Sequence, residues 1–359
     1  MANFLIYGAN GYTGEIIARE AAKRGLKPIL AGRKKEAVEK LAAELDLPFR
    51  VFSLEETDKL EAALNEVDFV LHCAGPFSIT SKPMCQACLR TGRHYLDITG
   101  EIAVFEAMAR LDEKAKAADI MIMPGTGFDV VPSDSLAVHL KNRMPAATNL
   151  TLAFFGTGKI SHGTQATMTM NVGRGGAVRR GGEIVSVPAA WKVRPIDFGP
   201  VLKRGVTIPW GDVSTAYYST GIPNIEVYTV VPPQAQKMMV LSRYIGWLLA
   251  WGPVNRYLQS KIPPGGASAE ERAKGKVYLY GKVSDDEGNK VVSRLFGPEP
   301  YDLTVQTALK IAERIIAGHA PRGFQTPAKA YGADMILEIP GVTREDVRED
   351  VREDVVDIV

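Results

Sequence analysis

Cysteine is scarce in this chain: three among 359 residues, Cys73, Cys85 and Cys88. An odd, low count fits a reducing compartment. Cys85 and Cys88 form a C-x-x-C, but no second pair of ligands accompanies it. With Met84 and Leu89 nearby, the two cysteines read as small buried hydrophobes on one helix. Charge of one sign is lacking too, since 43 Lys and Arg face 41 Asp and Glu for a net of +2. That balance lacks the basic excess that binding a phosphate backbone requires, so nucleic acid is not an expected partner. The five histidines are scattered without an H-E-x-x-H pairing, so no metal site is expected. No G-x-S-x-G elbow appears either. The opening Met-Ala-Asn-Phe-Leu-Ile-Tyr-Gly has no basic flank or cleavage signal, and its apolar run is too short for a signal peptide. A cytoplasmic location is the expectation, with membrane association a further option considered below.

What is present is ordinary globular composition, 46% hydrophobic and 23% charged. At this length the chain is expected to form about two domains. Short apolar runs at Phe4–Tyr7, Pro28–Ala31, Phe49–Phe52, Phe69–Cys73, His94–Ile98 and Ile120–Met123 alternate with stretches of helical periodicity. Buried strands alternating with helices are the signature of βαβ units and a parallel sheet. Residues 1–130 therefore read as a doubly wound α/β domain. Beyond Pro132 the runs at Leu150–Phe155, Ile184–Val187, Ile225–Val231 and Val277–Val283 are longer and partly alternating. They suggest a mixed or antiparallel sheet in a second domain, 131–300, with a role in substrate binding or dimerisation. In 301–343 an amphipathic helix presents Leu303, Thr307, Ala308, Ile311 and Ile315 on one face, and is expected to return to the first domain.

Two segments stand apart. Between Arg243 and Arg256 lies an uncharged run, Tyr244–Asn255, with Trp247 and Trp251, half of the chain's four tryptophans. It is too short to cross a membrane and carries Pro253. Three readings of 238–257 stay open: a buried core helix, a contact in a homodimer, or an interfacial helix making peripheral membrane contact. The tail, 344–359, repeats Arg-Glu-Asp-Val and has three arginines against seven acids, a net of −4 that leaves +6 on the residues before it. Such a repeat is expected to be a solvated terminal helix or a frayed end.

The motif with most chemical content is Gly8-Ala-Asn10-Gly11-Tyr12-Thr13-Gly14, after the first strand and opening the first helix. There a strand must turn sharply, backbone must approach a pyrophosphate without a Cβ, and a helix N-terminus must offer free N–H groups. At the end of the second strand an NAD site usually places an acid for the ribose 2′-hydroxyl. This chain has Ala31-Gly32-Arg33-Lys34 instead, and two cations suit a 2′-phosphate. NADP is expected over NAD, although Lys and Arg are also ordinary residues at a helix start. His72-Cys73-Ala74-Gly75-Pro76-Phe77 ends the fourth strand, where an open parallel sheet binds ligands, and should border the nicotinamide.

Asp97, Thr99 and Glu101 follow the fifth strand at the same sheet edge, as active-site groups or as the cap and first turn of a helix. After the sixth strand, Phe128 and Asp129 either shape a cleft or form an interdomain turn, with Ser133 capping the next helix. In the second domain His162 precedes a helix as a proton-donor candidate, with a structural role as the alternative. The candidate donors are thus Glu101, Asp129 and His162, and Thr99 joins the cofactor-binding set. The Tyr-x-x-x-Lys spacing of short-chain reductases is absent from the first domain.

Together, Gly8–Gly14, His72–Phe77, Tyr95-Leu-Asp-Ile-Thr-Gly-Glu101 and Gly127-Phe-Asp-Val-Val-Pro-Ser-Asp134 resemble the saccharopine dehydrogenase-like oxidoreductases, a group that includes trans-acting enoyl reductases. The similarity extends to Gly323–Pro327 and Pro340–Val342. The resemblance implies a Rossmann domain, an α+β saccharopine-reductase-like second domain, a cleft between them and NADPH-linked reduction of C=C or C=N. A saccharopine-forming enzyme would need cations for substrate carboxylates, and Arg174, Arg179 and Arg180 are present beside glycines. The many apolar residues of the second domain point instead to a hydrophobic, lipid-like or carrier-linked small molecule. The alternatives are an opine-type dehydrogenase and a non-catalytic NADP-binding redox sensor.

Overall fold

The computed structural model describes residues 3–158, 161–171, 173, 175–262 and 265–347. The chain divides into two compact units, the first of residues 1–131 and 301–330, the second of 132–300 and 331–359.

The first unit begins with β1 (Phe4–Tyr7), α1 (Tyr12–Lys23), β2 (Ile29–Gly32), α2 (Lys35–Leu45), β3 (Phe49–Val51) and α3 (Thr57–Asn65). It continues through β4 (Phe69–His72), α4 (Phe77–Thr91), β5 (His94–Asp97), α5 (Ile102–Ala109), α6 (Asp112–Ala117) and β6 (Met121–Met123). The second unit contains α7 (Val131–Arg143), β7 (Asn149–Gly156), α8 (His162–Asn171), β8 (Gly176–Arg180), β9 (Glu183–Val187), β10 (Val193–Asp197), β11 (Leu202–Thr207) and α9 (Asp212–Thr220). β12 (Asn224–Val230), α10 (Pro233–Ala250), α11 (Gly252–Ser260), α12 (Ala269–Lys274), β13 (Lys276–Ser284) and β14 (Lys290–Pro298) follow. The chain then returns to the first unit in α13 (Pro300–Ile316), β15 (Gly323–Phe324) and α14 (Pro327–Tyr331), and β16 (Thr343–Val347) rejoins the second.

Among the described residues, the sheet of the first unit runs β15-β6-β5-β4-β1-β2-β3, and its pairings are parallel. Leu5, Ile6, Leu30, Val70, Leu71, Leu96 and Ile122 are fully buried, as in a sheet covered on both faces. α1 places Ile17, Ala18 and Ala21 on that core, and burying the Ile17 side chain stabilises the fold by roughly 1.5–3 kcal/mol. Cys85 and Cys88 are buried on α4. The order reverses at β1, with β2 on one side and β4 on the other, so the loops leaving β1 and β4 meet beyond the carboxyl edge.

α13 packs on this unit through Leu303, Thr307, Ala308, Ile311 and Ile315. Arg24 bonds Glu313 at 3.0 Å and also bonds Gln306. Residues 331–343, expected to accompany α13, group with the second unit instead.

The sheet of the second unit runs β10-β11-β12-β7-β13-β14-β16, with β8 pairing β12 and β9. β7 and β12 are parallel and the remaining pairs antiparallel, which is the mixed arrangement anticipated for this region. The start of the charged repeat is neither helix nor frayed end: Arg344, Glu345 and Asp346 lie in β16, in register with Leu295, Arg294 and Ser293 of β14. Each charge there is met, Glu345 by Arg294 at 3.0 Å and Asp346 by His139 at 2.8 Å. Residues 348–359 lie outside the described residues.

Candidate functional site

The β1–α1 turn is shaped by close backbone contact. Gly8 has φ +85°, a left-handed conformation that favours glycine, and a Cβ there would stand 2.8 Å from the Ala74 nitrogen. A Cβ on Gly14 would stand 2.2 Å from the Gly8 carbonyl oxygen, so the first turn of α1 can lie against the loop only as glycine. Gly11 is the N-cap and makes no side-chain bond, leaving the first-turn N–H groups of α1 directed toward the loop, as an anionic pyrophosphate requires. Thr13 stands in that turn. Asn10 sets its Oδ1 over Gly32, where a Cβ would be 2.6 Å away. Tyr12 is met edge-on by Tyr301 of α13 at 5.1 Å between centroids. Tyr301 carried no sequence signal, because only the return of the distant α13 brings it here.

Arg33 and Lys34 follow β2 directly, and both are exposed. Among the described residues neither has a hydrogen-bond or ion-pair partner. This arrangement fits a 2′-phosphate, which would gain two cations without breaking an existing pair.

The loop after β4 sits on the other side of the Gly8 turn. The Cys73 N–H donates to the Tyr7 carbonyl at 2.7 Å, and the Thr80 hydroxyl donates to the Ala74 carbonyl at 2.6 Å. Gly75 is exposed, the Gly75–Pro76 peptide is cis, and Phe77 opens α4. Burial, with Asp97 adding to it, pushes the Cys73 thiol well above its usual range, so it is a neutral wall group. His72 is fully buried, with both ring nitrogens unpartnered among the described residues, and burial lowers its pKa to about 3. It is a neutral packing group against Tyr7, Phe77 and Tyr95.

Of the candidate proton donors, Glu101 is committed as an acceptor. Its carboxylate takes the N–H of Phe77 at 2.9 Å and of Ser78 at 3.1 Å, the first two residues of α4. It thereby caps one helix from the loop before another. Thr99 is fully buried and its hydroxyl accepts the Glu101 N–H at 3.1 Å; the N-cap of α5 is Glu101, not Thr99. Asp97 is a buried clamp, accepting from Tyr95 Oη at 2.6 Å and from the N–H groups of Thr99 and Gly125, each at 2.9 Å. Burial raises its pKa to about 6.

Asp129 lies beside this edge, half-buried, with its carboxyl over Gly100, where a Cβ would stand 2.7 Å from Oδ2. Burial raises its pKa to about 7, so at neutral pH it is poised between acid and carboxylate. Its loop is held by α13: Thr304 accepts the Phe128 N–H at 3.0 Å and the Thr307 hydroxyl donates to the Thr126 carbonyl at 2.9 Å. Ser133 does not cap α7, which already starts at Val131. His162 opens α8, but its side chain lies outside the described residues. No cluster of three metal-ligating side chains occurs among the described residues.

Arg179 and Arg180 of the second unit both have partners. Arg179 is buried, donates to the Val213 carbonyl at 2.8 Å and the Gly182 carbonyl at 2.6 Å, and stacks 4.2 Å from the Tyr217 ring centroid. Arg180 pairs with Glu226, which also accepts from Lys192 at 2.8 Å and from the Tyr228 hydroxyl. Burial alone would raise the Glu226 pKa, but these donors hold it at about 2. Arg174 lies outside the described residues.

A family model described as the saccharopine dehydrogenase NADP binding domain matches residues 4–123. A human protein named saccharopine dehydrogenase-like oxidoreductase is 27% identical over 162 residues, covering 40% of this chain and 38% of that protein. A trans-acting enoyl reductase of Mycobacterium leprae is 33% identical over 150 residues, covering 40% of this chain and 36% of its own length. The chain thus spans well under half the length of the curated relatives it matches. Apo saccharopine dehydrogenase (L-Glu forming) from Saccharomyces cerevisiae shares the fold, with a TM-score of 0.67 and 11% identity over 97% of this chain and 100% of that one. Residues 4–123 thus match the saccharopine dehydrogenase NADP binding domain, and over two fifths of its length the chain is similar to saccharopine dehydrogenase-like oxidoreductases and a trans-acting enoyl reductase.

Proposed function

We propose that the chain is an NADPH-dependent reductase acting on an activated C=C, or C=N, of a hydrophobic or carrier-linked substrate. The observation that carries the cofactor half is the pair of exposed cations, Arg33 and Lys34, without a hydrogen-bond or ion-pair partner among the described residues, at the end of β2, where an acid would select NAD. Gly8, Gly11 and Gly14 hold the pyrophosphate, and Gly75 to Phe77 line the nicotinamide. Bound NADPH supplies hydride. The protein orients it, and Asp129 gives the proton that the reduced substrate takes up.

The substrate class rests on the second unit. Arg179 and Arg180, the cations that would meet the carboxylates of an amino-acid adduct, are engaged by backbone carbonyls, Tyr217 and Glu226. Freeing Arg180 would leave Glu226 with one partner fewer in a buried network, a costly exchange. An enoyl substrate makes no such demand. The enoyl-reductase name of the M. leprae relative supports the same reading.

The test is to titrate NADPH by its fluorescence and then follow its absorbance with panels of enoyl thioesters, imines and opines. Oxidation by enoyl thioesters supports the proposal. Turnover only with 2-oxo acid and amine, or with opines and NADP⁺, would move the chain to the opine class. Cofactor binding with no turnover would make it a sensor, and failure to bind either nicotinamide cofactor would sink every one of these readings.

A further inference from the structure

Helix α10 is built inside out. Its inward face carries the small residues Ser242 and Gly246, both buried, and Gly246 lies so close to Gly173 that a Cβ on it would stand 2.8 Å from the Gly173 carbonyl oxygen. Its outward face carries the large apolar ones. Met238, Leu241, Tyr244, Trp247 and Trp251 recur every three or four residues and are exposed, Tyr244 and Trp247 to 75% and Trp251 to 59%. Tyr257 on α11 adds a further exposed ring, at 61%. A globular surface helix shows the opposite pattern. The buried-core reading of 238–257 is therefore wrong for these side chains.

The helix is fixed in this orientation. Arg243 donates to the Ala189 carbonyl at 2.8 Å and to the Ala190 carbonyl at 2.7 Å, and Asn255 of α11 donates to the Thr169 carbonyl at 2.9 Å. Arg243 is thus an exposed strut, and Lys237, Arg256 and Lys261 are further exposed charges. No Asp or Glu occurs from residue 227 to 269. Tryptophan and tyrosine with a cationic rim are the side chains that the water–bilayer interface favours. Against a second copy of the same face the rim would meet its own charge, since an isologous contact is self-complementary. Among the described residues no helix is long and apolar enough to cross a membrane.

We propose that α10 and α11 form a platform that seats on an anionic lipid surface, with Trp247 and Trp251 entering the headgroup layer. This surface stands independently of the reductase chemistry. The test uses the full chain with vesicles of phosphatidylcholine, with and without phosphatidylserine, read by co-sedimentation and by tryptophan emission. Binding to the anionic vesicles with a blue shift is expected, and the double variant Trp247→Ser, Trp251→Ser should lose it while keeping NADPH affinity. Neutralising Lys237 or Arg256 should weaken binding about fivefold each. Absence of vesicle binding by a chain that binds NADPH normally overturns the proposal. Concentration-dependent self-association abolished by the same double variant, without vesicle binding, would assign the face to a dimer instead.

Discussion

The carboxylate of Glu101 holds the start of α4, accepting the Phe77 N–H at 2.9 Å and the Ser78 N–H at 3.1 Å. Through that bond the loop after β5 sets the position of the loop after β4, Gly75 to Phe77, which is proposed to line the nicotinamide. Glu101→Ala should cost about 2–3 kcal/mol in urea unfolding, since a charged acceptor is lost from two donors. It should also weaken NADPH binding. Glu101→Gln, which keeps one acceptor oxygen, should recover part of both. A Gln variant with wild-type stability and cofactor affinity but no turnover would instead make Glu101 the proton donor.

Among the described residues Arg33 makes no hydrogen bond or ion pair, so its removal reads out chiefly the cofactor. Arg33→Ala should lower NADPH affinity about tenfold and leave NADH affinity nearly unchanged, the loss of one charge-assisted contact to the 2′-phosphate. Fluorescence titrations with both cofactors measure the ratio. An unchanged ratio would remove Arg33 from the site.

His72 and Glu226 are among the groups that make stability sensitive to acid, as is His94, whose pKa burial lowers to about 4. His72 has a folded pKa of about 3 against an ordinary 6.5, so below pH 6.5 the unfolded chain takes up a proton that the folded chain refuses. Its share of stability is complete above 6.5 and declines as pH falls toward 3, by at most about 1.4 kcal/mol per pH unit. Glu226 is held at about 2 against 4.5, so its share is complete above 4.5 and declines as pH falls toward 2. Denaturant curves across this range should show His72→Phe flattening the upper part of the decline. A variant with the wild-type profile there would refute the His72 assignment.

The sequence made the first unit legible because its signals are local. Buried four-residue strands, helices between them and the glycine turn at residues 8–14 are each written in a few adjacent positions. Beyond the return of α13 to the first unit, side-chain relationships between distant segments were not legible. Tyr301 beside Tyr12, Thr304 under the Asp129 loop and Glu101 over α4 depend on which strands neighbour each other. β16 was hidden for a different reason: Arg344, Glu345 and Asp346 look like a solvated repeat until the partners Arg294, Ser293 and His139 are in place. Trp247 of α10 and Trp251 at its C-cap were visible as residues, but not their exposure, since the close Gly173–Gly246 approach on the opposite side has no periodicity to announce it.

Asp129 carries the last prediction. Burial brings its pKa to about 7. If it delivers the proton, the reaction needs its acid form, so kcat should be level below pH 7 and fall about tenfold for each pH unit above it. Asp129→Asn cannot deliver a proton and should lower kcat by about 10²–10³-fold, with NADPH affinity within about twofold and the limb near pH 7 gone. Gly100→Ala offers an independent check. A Cβ 2.7 Å from Oδ2 would displace the carboxyl without removing it, so kcat should fall while the dependence on pH persists, shifted as burial of the carboxyl changes. An Asn variant that retains both its rate and the limb near pH 7 would show that the proton comes from another group.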